Sequence, residues 1–310
     1  MKKGLLAIVL VLVLAFTLVA CGDSGEVASD KFSIYLITMD RIDGHWATVD
    51  EGCKAAVAEI GADKIDYKWD GPESKDSAGQ IECINNAVAA GANVILLAAK
   101  SVDDQVEAIK AGDAAGVTFI YVDSPASWDG AIMTIKTDNE AAGRTAGEEM
   151  LAALAAAGIT EGDIGIVNVD AQTGSVIARE QGFRDAFAGS GFNILETQYC
   201  EGDAVKGQAQ AEAFITQGVV GIYGTNEGST IGVGNAIKEA GGDVIGVGFD
   251  TGGSVPDLVN EGVLLCTMAQ QPYEMGYQGM KAAYAFLADG TLPAKKDVDS
   301  GAAAKKAGDF

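Results

Sequence analysis

Two similar α/β lobes, each a doubly wound parallel sheet, joined by a three-crossing hinge: this is the architecture the sequence predicts. From Lys31 onward, short β-branched runs alternate with longer Ala-rich helical runs, the pattern of βαβ units. The same grammar is used twice, over segments of similar size. No Pro- or Ser-rich tether separates the two series, so short crossings rather than a flexible linker connect them. With 310 residues, 48% of them hydrophobic, the chain has apolar material for a sizeable core in each lobe.

The first element read along the chain is not part of that fold. Residues 1–20 run from a lysine pair through an uncharged apolar stretch to a small residue, the layout of a cleaved export signal rather than a spanning helix. Leu18-Val19-Ala20-Cys21 resembles the bacterial lipobox, in which Cys21 takes the lipid and becomes the new N-terminus. The polar stretch that follows makes residues 21–30 a lipidated linker. Such an anchor holds a soluble domain at the outer face of the cell membrane, because paired acyl chains anchor stably where one is marginal.

In the first lobe "FSIYLIT", "IDYKW", "NVILLAA" and "VTFIYV" read as strands. Between them, "ATVDEGCKAAVAEIG" and "DSAGQIECINNAVAAG" carry apolar residues at helical spacing and end on glycine, as helix C-termini commonly do. The second series follows "AIMTIKTDNEAAG". Its strands are "DIGIVNV", "FNILETQY", "GIYGT", "DVIGVGF" and "LLCTMAQ", separated by helices such as "SVIAREQGFRDAFAG" and "STIGVGNAIKEAG". Crossings are expected near Thr137-Asp138, Gln270-Gln271 and Leu292-Pro293. The first lobe is then 31–137 plus 271–293 and the second 138–270 plus 294–310. The tail "SGAAAKKAGDF" suggests no element.

The formal charge of −23 becomes −25 once Lys2 and Lys3 leave with the signal. Nucleic acid and anionic lipid surfaces repel such a chain, which favours a small neutral or cationic partner. Cys53, Cys83, Cys200 and Cys266 are far apart, in apolar or helical stretches without CxxC spacing, and read as buried free thiols. Neither a G-x-S-x-G elbow nor a phosphate loop nor H-E-x-x-H occurs, and the single histidine would have to serve any His-dependent triad. The acidic loops lack EF-hand spacing, and "GVGFDTGG" lacks the dinucleotide fingerprint. No enzyme is expected, and no cofactor or metal is implied.

In open parallel sheets the ligand crevice lies beyond the carboxyl ends of the strands, so the residues just after each strand matter most. Asp123 follows "FIYV" and Asp250 follows "VIGVGF"; either could form a turn or meet a ligand. Asn226 in "GTNEG" could cap the next helix, and its amide also suits hydroxyls. Arg179 lies near the start of a helix, where a cation opposes the dipole, and so calls for a partner. His45 and Trp46, in "IDGHW", could staple the first helix or face a ligand. Trp69 and Trp128 are weaker candidates.

Five segments, "TDNEAAGRTAGEEM", "AREQGF", "GTNEG", "VIGVGFD" and "TMAQQP", occur in one order that carries a resemblance. From about Phe32 to Asp297 the chain resembles periplasmic sugar-binding proteins of the ribose-binding type, whose core is shared by LacI-type repressors. The resemblance implies the type I periplasmic binding protein fold, with Asp123, Arg179, Asn226, Asp250 and Gln270 bonding sugar hydroxyls. His45 and Trp46 would take the places of the family's aromatic pair. A long first loop, "TMDRIDGHW", adds Asp40 and Asp43 as further candidates, and Asp123-Ser124-Pro125 departs from the family's Asp-Arg pair.

The function implied is an extracytoplasmic, lipid-anchored monomer that hands a monosaccharide to the permease of an ABC importer. The alternative is a receptor for a sugar or autoinducer-2 that presents its closed form to a chemoreceptor or histidine kinase. A repressor is disfavoured, since an export signal stands where a helix-turn-helix would be.

Overall fold

A computed structural model of the protein describes residues 31–241 and 243–310; the expected signal, Cys21 and the linker lie outside the described residues. The first sheet begins with β1 (Phe32–Ile37), α1 (Gly44–Ile60), β2 (Ile65–Asp70), α2 (Ser77–Ala89) and β3 (Val94–Leu97). It continues with α3 (Val106–Ala114), β4 (Thr118–Val122) and β5 (Met133–Lys136). Strand β1 shows why both faces are covered. Its period of two sends Ile34 and Leu36 into the core under α1, and Tyr35 and Ile37 into a second core on the opposite face.

The second lobe repeats this plan with α4 (Asn139–Ala156), β6 (Gly162–Asn168), α5 (Gly174–Ala186), β7 (Phe192–Ile194), β8 (Gln198–Tyr199) and α6 (Ala204–Thr216). It goes on through β9 (Gly221–Gly224), α7 (Glu227–Ala240), β10 (Ile245–Phe249), α8 (Val255–Asn260) and β11 (Leu264–Gln270). The chain ends in α9 (Pro272–Asp289), β12 (Asp297–Asp299) and β13 (Ala302–Lys305). The sheets run β12-β5-β4-β3-β1-β2 and β13-β11-β10-β9-β6-β7, with β8 also on β6. Both are doubly wound, each with its switch point beside its first strand, so the crevices face each other.

The tail differs from expectation. Strand β12 pairs in parallel with β5 of the first sheet, whereas β13 pairs antiparallel with β11 of the second. The third crossing is therefore at Ser300–Gly301, not near Leu292-Pro293, and residues 294–310 are divided between the lobes. Gly301 has φ +86, a turn conformation that glycine adopts without strain. "FNILETQY" is two strands, because Leu195 and Thr197 turn aside to accept from Arg184, and Thr197 also donates to Glu180.

Helix pairs are held close by glycines facing backbone. A Cβ on Gly182 would lie 1.9 Å from the Glu140 carbonyl oxygen, and one on Gly143 2.0 Å from that of Arg179, which fixes α5 against α4. In the first lobe Gly52 and Gly276 do the same between α1 and α9. Cys53, Cys200 and Cys266 are buried free thiols, but Cys83 is only half-buried, since its side of α2 faces partly outward.

Candidate functional site

The cleft begins with a turn made by carboxylates. Asp40 Oδ1 accepts from the backbone N–H of Ile42 and of Asp43, each at 2.8 Å. Asp43 then caps α1 by accepting from His45 N at 3.0 Å. The helix therefore starts earlier than the apolar pattern implied, and His45 and Trp46 sit on its first turn with their rings edge to face, 4.8 Å apart.

His45 joins the lobes. Its Nε2 lies 3.0 Å from Asp123 Oδ2 in its own lobe and its Nδ1 3.8 Å from Asp250 Oδ1 in the other. Burial works against a charged imidazole, but the hydrogen bond and charge of Asp123, with Asp250 and Asp43 nearby, prevail and raise its pKa to about 9. Burial likewise opposes ionisation of Asp123, and the His45 bond and charge, with Arg179 behind them, hold its carboxyl below the usual range.

The two aspartates are counterparts. Asp123 has φ +65 and Asp250 φ +71, and each stands just past a central strand. The N–H of Asp123 donates to the Ile135 carbonyl on one neighbouring strand, and that of Asp250 to the Met268 carbonyl on another, both at 2.9 Å. Aspartate tolerates this left-handed backbone better than most residues. In each lobe the turn lifts a carboxylate out of the sheet and into the cleft.

Arg179 is 3% exposed. Its Nε donates to Asn139 Oδ1 at 2.8 Å, one η-nitrogen donates to the Thr225 carbonyl at 3.0 Å, and its guanidinium lies 3.7 Å over the Phe249 ring. Asn226 does cap α7, in a capping box with Ser229. Its Oδ1 is engaged there, so the amide nitrogen is the group it can offer a ligand. Gln270 donates from Nε2 to Asp250 Oδ1 at 2.6 Å and accepts from Thr137 Oγ1 at 2.8 Å, tying two hinge crossings together.

His45, Trp46, Asp123, Arg179, Asn226, Asp250, Gln270 and Asp43 thus line one interlobe cavity of about 40 Å³. Asp40 stands behind Asp43 and lines a wider outer cleft. Trp69 and Trp128 are not in the cavity: Trp69 donates to Thr38, and Trp128 packs on Phe119.

Sequence reasoning missed Lys75, whose ammonium lies 2.9 Å from Asp43 Oδ2, and the small polar residues Thr173 and Ser175. Glu227 was also passed over; burial, with Asp43 and Asp250 close by, raises its pKa to about 7. Lys75 follows directly on "DGPES", a segment at a strand mouth, so position alone could have found it. Among the described residues no cluster of His, Cys, Asp or Glu could hold a metal ion.

The family model described as "Periplasmic binding protein domain" matches residues 34–291. The chain is 26% identical to the ribose import binding protein RbsB of Escherichia coli over 294 residues, covering 93% of this chain and 95% of that one. A solute-binding protein from Agrobacterium vitis, solved with α-D-tagatopyranose, superposes with a TM-score of 0.83 at 28% identity, over 89% of this chain and 95% of that one. Another, from Agrobacterium radiobacter with D-arabinose, gives 0.84 at 27%, with the same coverage. These relatives are transport binding proteins rather than enzymes, and the sheets described above are the type I periplasmic binding protein fold. The chain belongs to the periplasmic binding protein domain family.

Proposed function

We propose that this chain is the extracytoplasmic binding component of an ABC importer, tethered through lipid on Cys21, and that it grips one neutral monosaccharide-sized polyol between its lobes. The observation that carries this is the charge balance of the interlobe cavity. Asp43, Asp123 and Asp250 are matched by His45, Lys75 and Arg179, beside the amides of Asn226 and Gln270 and the Trp46 ring. Such a lining returns hydrogen bonds to many hydroxyls at once and leaves no net charge for an ionic ligand to neutralise. The named ligands of the relatives, ribose, tagatose and arabinose, are of this chemical class.

A cavity of about 40 Å³ holds a few waters. A sugar therefore enters by parting the lobes, and its hydroxyls replace the His45–Asp123 and Gln270–Asp250 bonds. Closure around it creates the surface a permease can distinguish from the open form.

The test is thermal-shift screening of the soluble domain against pentoses, hexoses, polyols and autoinducer-2, followed by calorimetry. Asp250→Ala and Arg179→Ala are each expected to weaken binding by about 2 kcal/mol or more, roughly thirtyfold. Unchanged affinity in both refutes the site. For the anchor, Cys21→Ala is expected to abolish fatty-acid labelling and to release the protein from the membrane fraction.

A further inference from the structure

Resting on that reading of the cavity, we infer that Lys75 sets the upper size of the ligand: its side chain is a partition between the inner cavity and the outer cleft, admitting a free sugar and excluding its bulky derivatives. The outer cleft, about 520 Å³, also lies between the lobes, and Lys75 and Asp43 line both spaces. Without the lysine side chain the two spaces would join.

Lys75 belongs to the loop between β2 and α2, where its neighbours Glu73 and Ser74 are exposed. A lysine on such a loop ordinarily carries its ammonium out to water. Here the side chain is 13% exposed and runs inward to Asp43, with Asp40 Oδ2 3.7 Å away. Both carboxylates are themselves fixed, Asp40 by two backbone donors and Asp43 by capping α1. The lysine is thus anchored from its own lobe.

The other lobe is shaped to receive it. Gly202, with φ +74, lies in the turn between β8 and α6, and a Cβ there would stand 2.9 Å from Lys75 Nζ and 3.4 Å from its Cδ. Bare backbone at that point leaves room for the ammonium beside the Asn226 amide, so the partition is complete only when the lobes meet. An ammonium has three donors, and with Asp43 bonded it can still donate to a hydroxyl at that end of the cavity. A hydroxyl is accepted there, while an aryl or glycosyl substituent meets the side chain.

Calorimetry on the wild type, Lys75→Ala and Lys75→Met checks this. The probes are D-ribose, D-allose, D-arabinose and D-galactose, followed by the phenyl glycoside and the terminal O-benzyl ether of whichever sugar binds. Lys75→Ala is expected to bind at least one derivative about tenfold more tightly than the wild type does, because the ring gains buried area in the outer cleft. Lys75→Met keeps the bulk and should gain nothing. The partition is overturned if the wild type binds the derivatives as well as the free sugar, if Lys75→Ala gains no affinity for either, or if Lys75→Met gains as much. A wild type that binds no free sugar overturns the functional reading itself, a distinct result.

Discussion

At the scale of single residues, the aspartates after β4 and β10 and the histidine between them dominate the cleft. His45 is charged in the folded protein because its pKa is raised to about 9 from an ordinary 6.5. The stability it contributes is therefore complete below about pH 6.5 and is lost as the pH rises through 9, a change on the order of 3 kcal/mol. Denaturant titrations between pH 6 and pH 10 should show this decline, and His45→Gln should flatten it; an equal slope in both proteins would refute the linkage. The residues lining the cavity were legible in the sequence where they follow a strand or carry a family motif, as Asp123, Arg179, Asn226, Asp250 and Gln270 do. Lys75, Thr173 and Ser175 were not singled out, because a lone lysine or hydroxyl on a loop has no periodicity or motif, and only its place beyond a strand mouth points to the cleft.

At the scale of elements, strands and helices were legible wherever β-branched runs or helical spacing recur, which covers the interior of both sheets except β5, whose four residues were not read as a strand. The misreadings have local causes. Side-chain bonds to Leu195 and Thr197 divide one strand, and β12 and β13 consist of acidic and Ala-rich segments without strand character of their own. Invisible too was the way α5 is set against α4 by Gly143 and Gly182. Gly182→Ala should destabilise the protein by about 1 to 3 kcal/mol, since backbone cannot retreat as a flexible side chain could. It should also weaken sugar binding, because α5 carries Arg179. Urea melts and calorimetry on the same sample measure both, and a neutral Gly182→Ala would mean that the helices separate at little cost.

At the scale of the whole molecule, the lobes also touch between the loop after β3 and the loop before α5. Lys100, after β3, bonds the Asp170 carboxylate of the second lobe, Thr173 Oγ1 donates to the Lys100 carbonyl at 2.9 Å, and Val102 N donates to the Gln172 carbonyl at 3.1 Å. Of these residues Thr173 lines the cavity and Lys100 does not; the contacts exist only while the lobes are together, so they bias the equilibrium toward closure. Lys100→Met should raise the sugar Kd roughly tenfold, mainly through faster dissociation. Stopped-flow measurements decide this, and an unaltered off-rate would remove the latch from the account. Gln270 has a different consequence. One end of its amide holds Asp250 and the other holds Thr137, so a sugar hydroxyl that claimed Asp250 would loosen a strut between two of the crossings. Cargo and pivot would then be wired to each other through this glutamine, and the molecule would register at its waist whether its mouth is full.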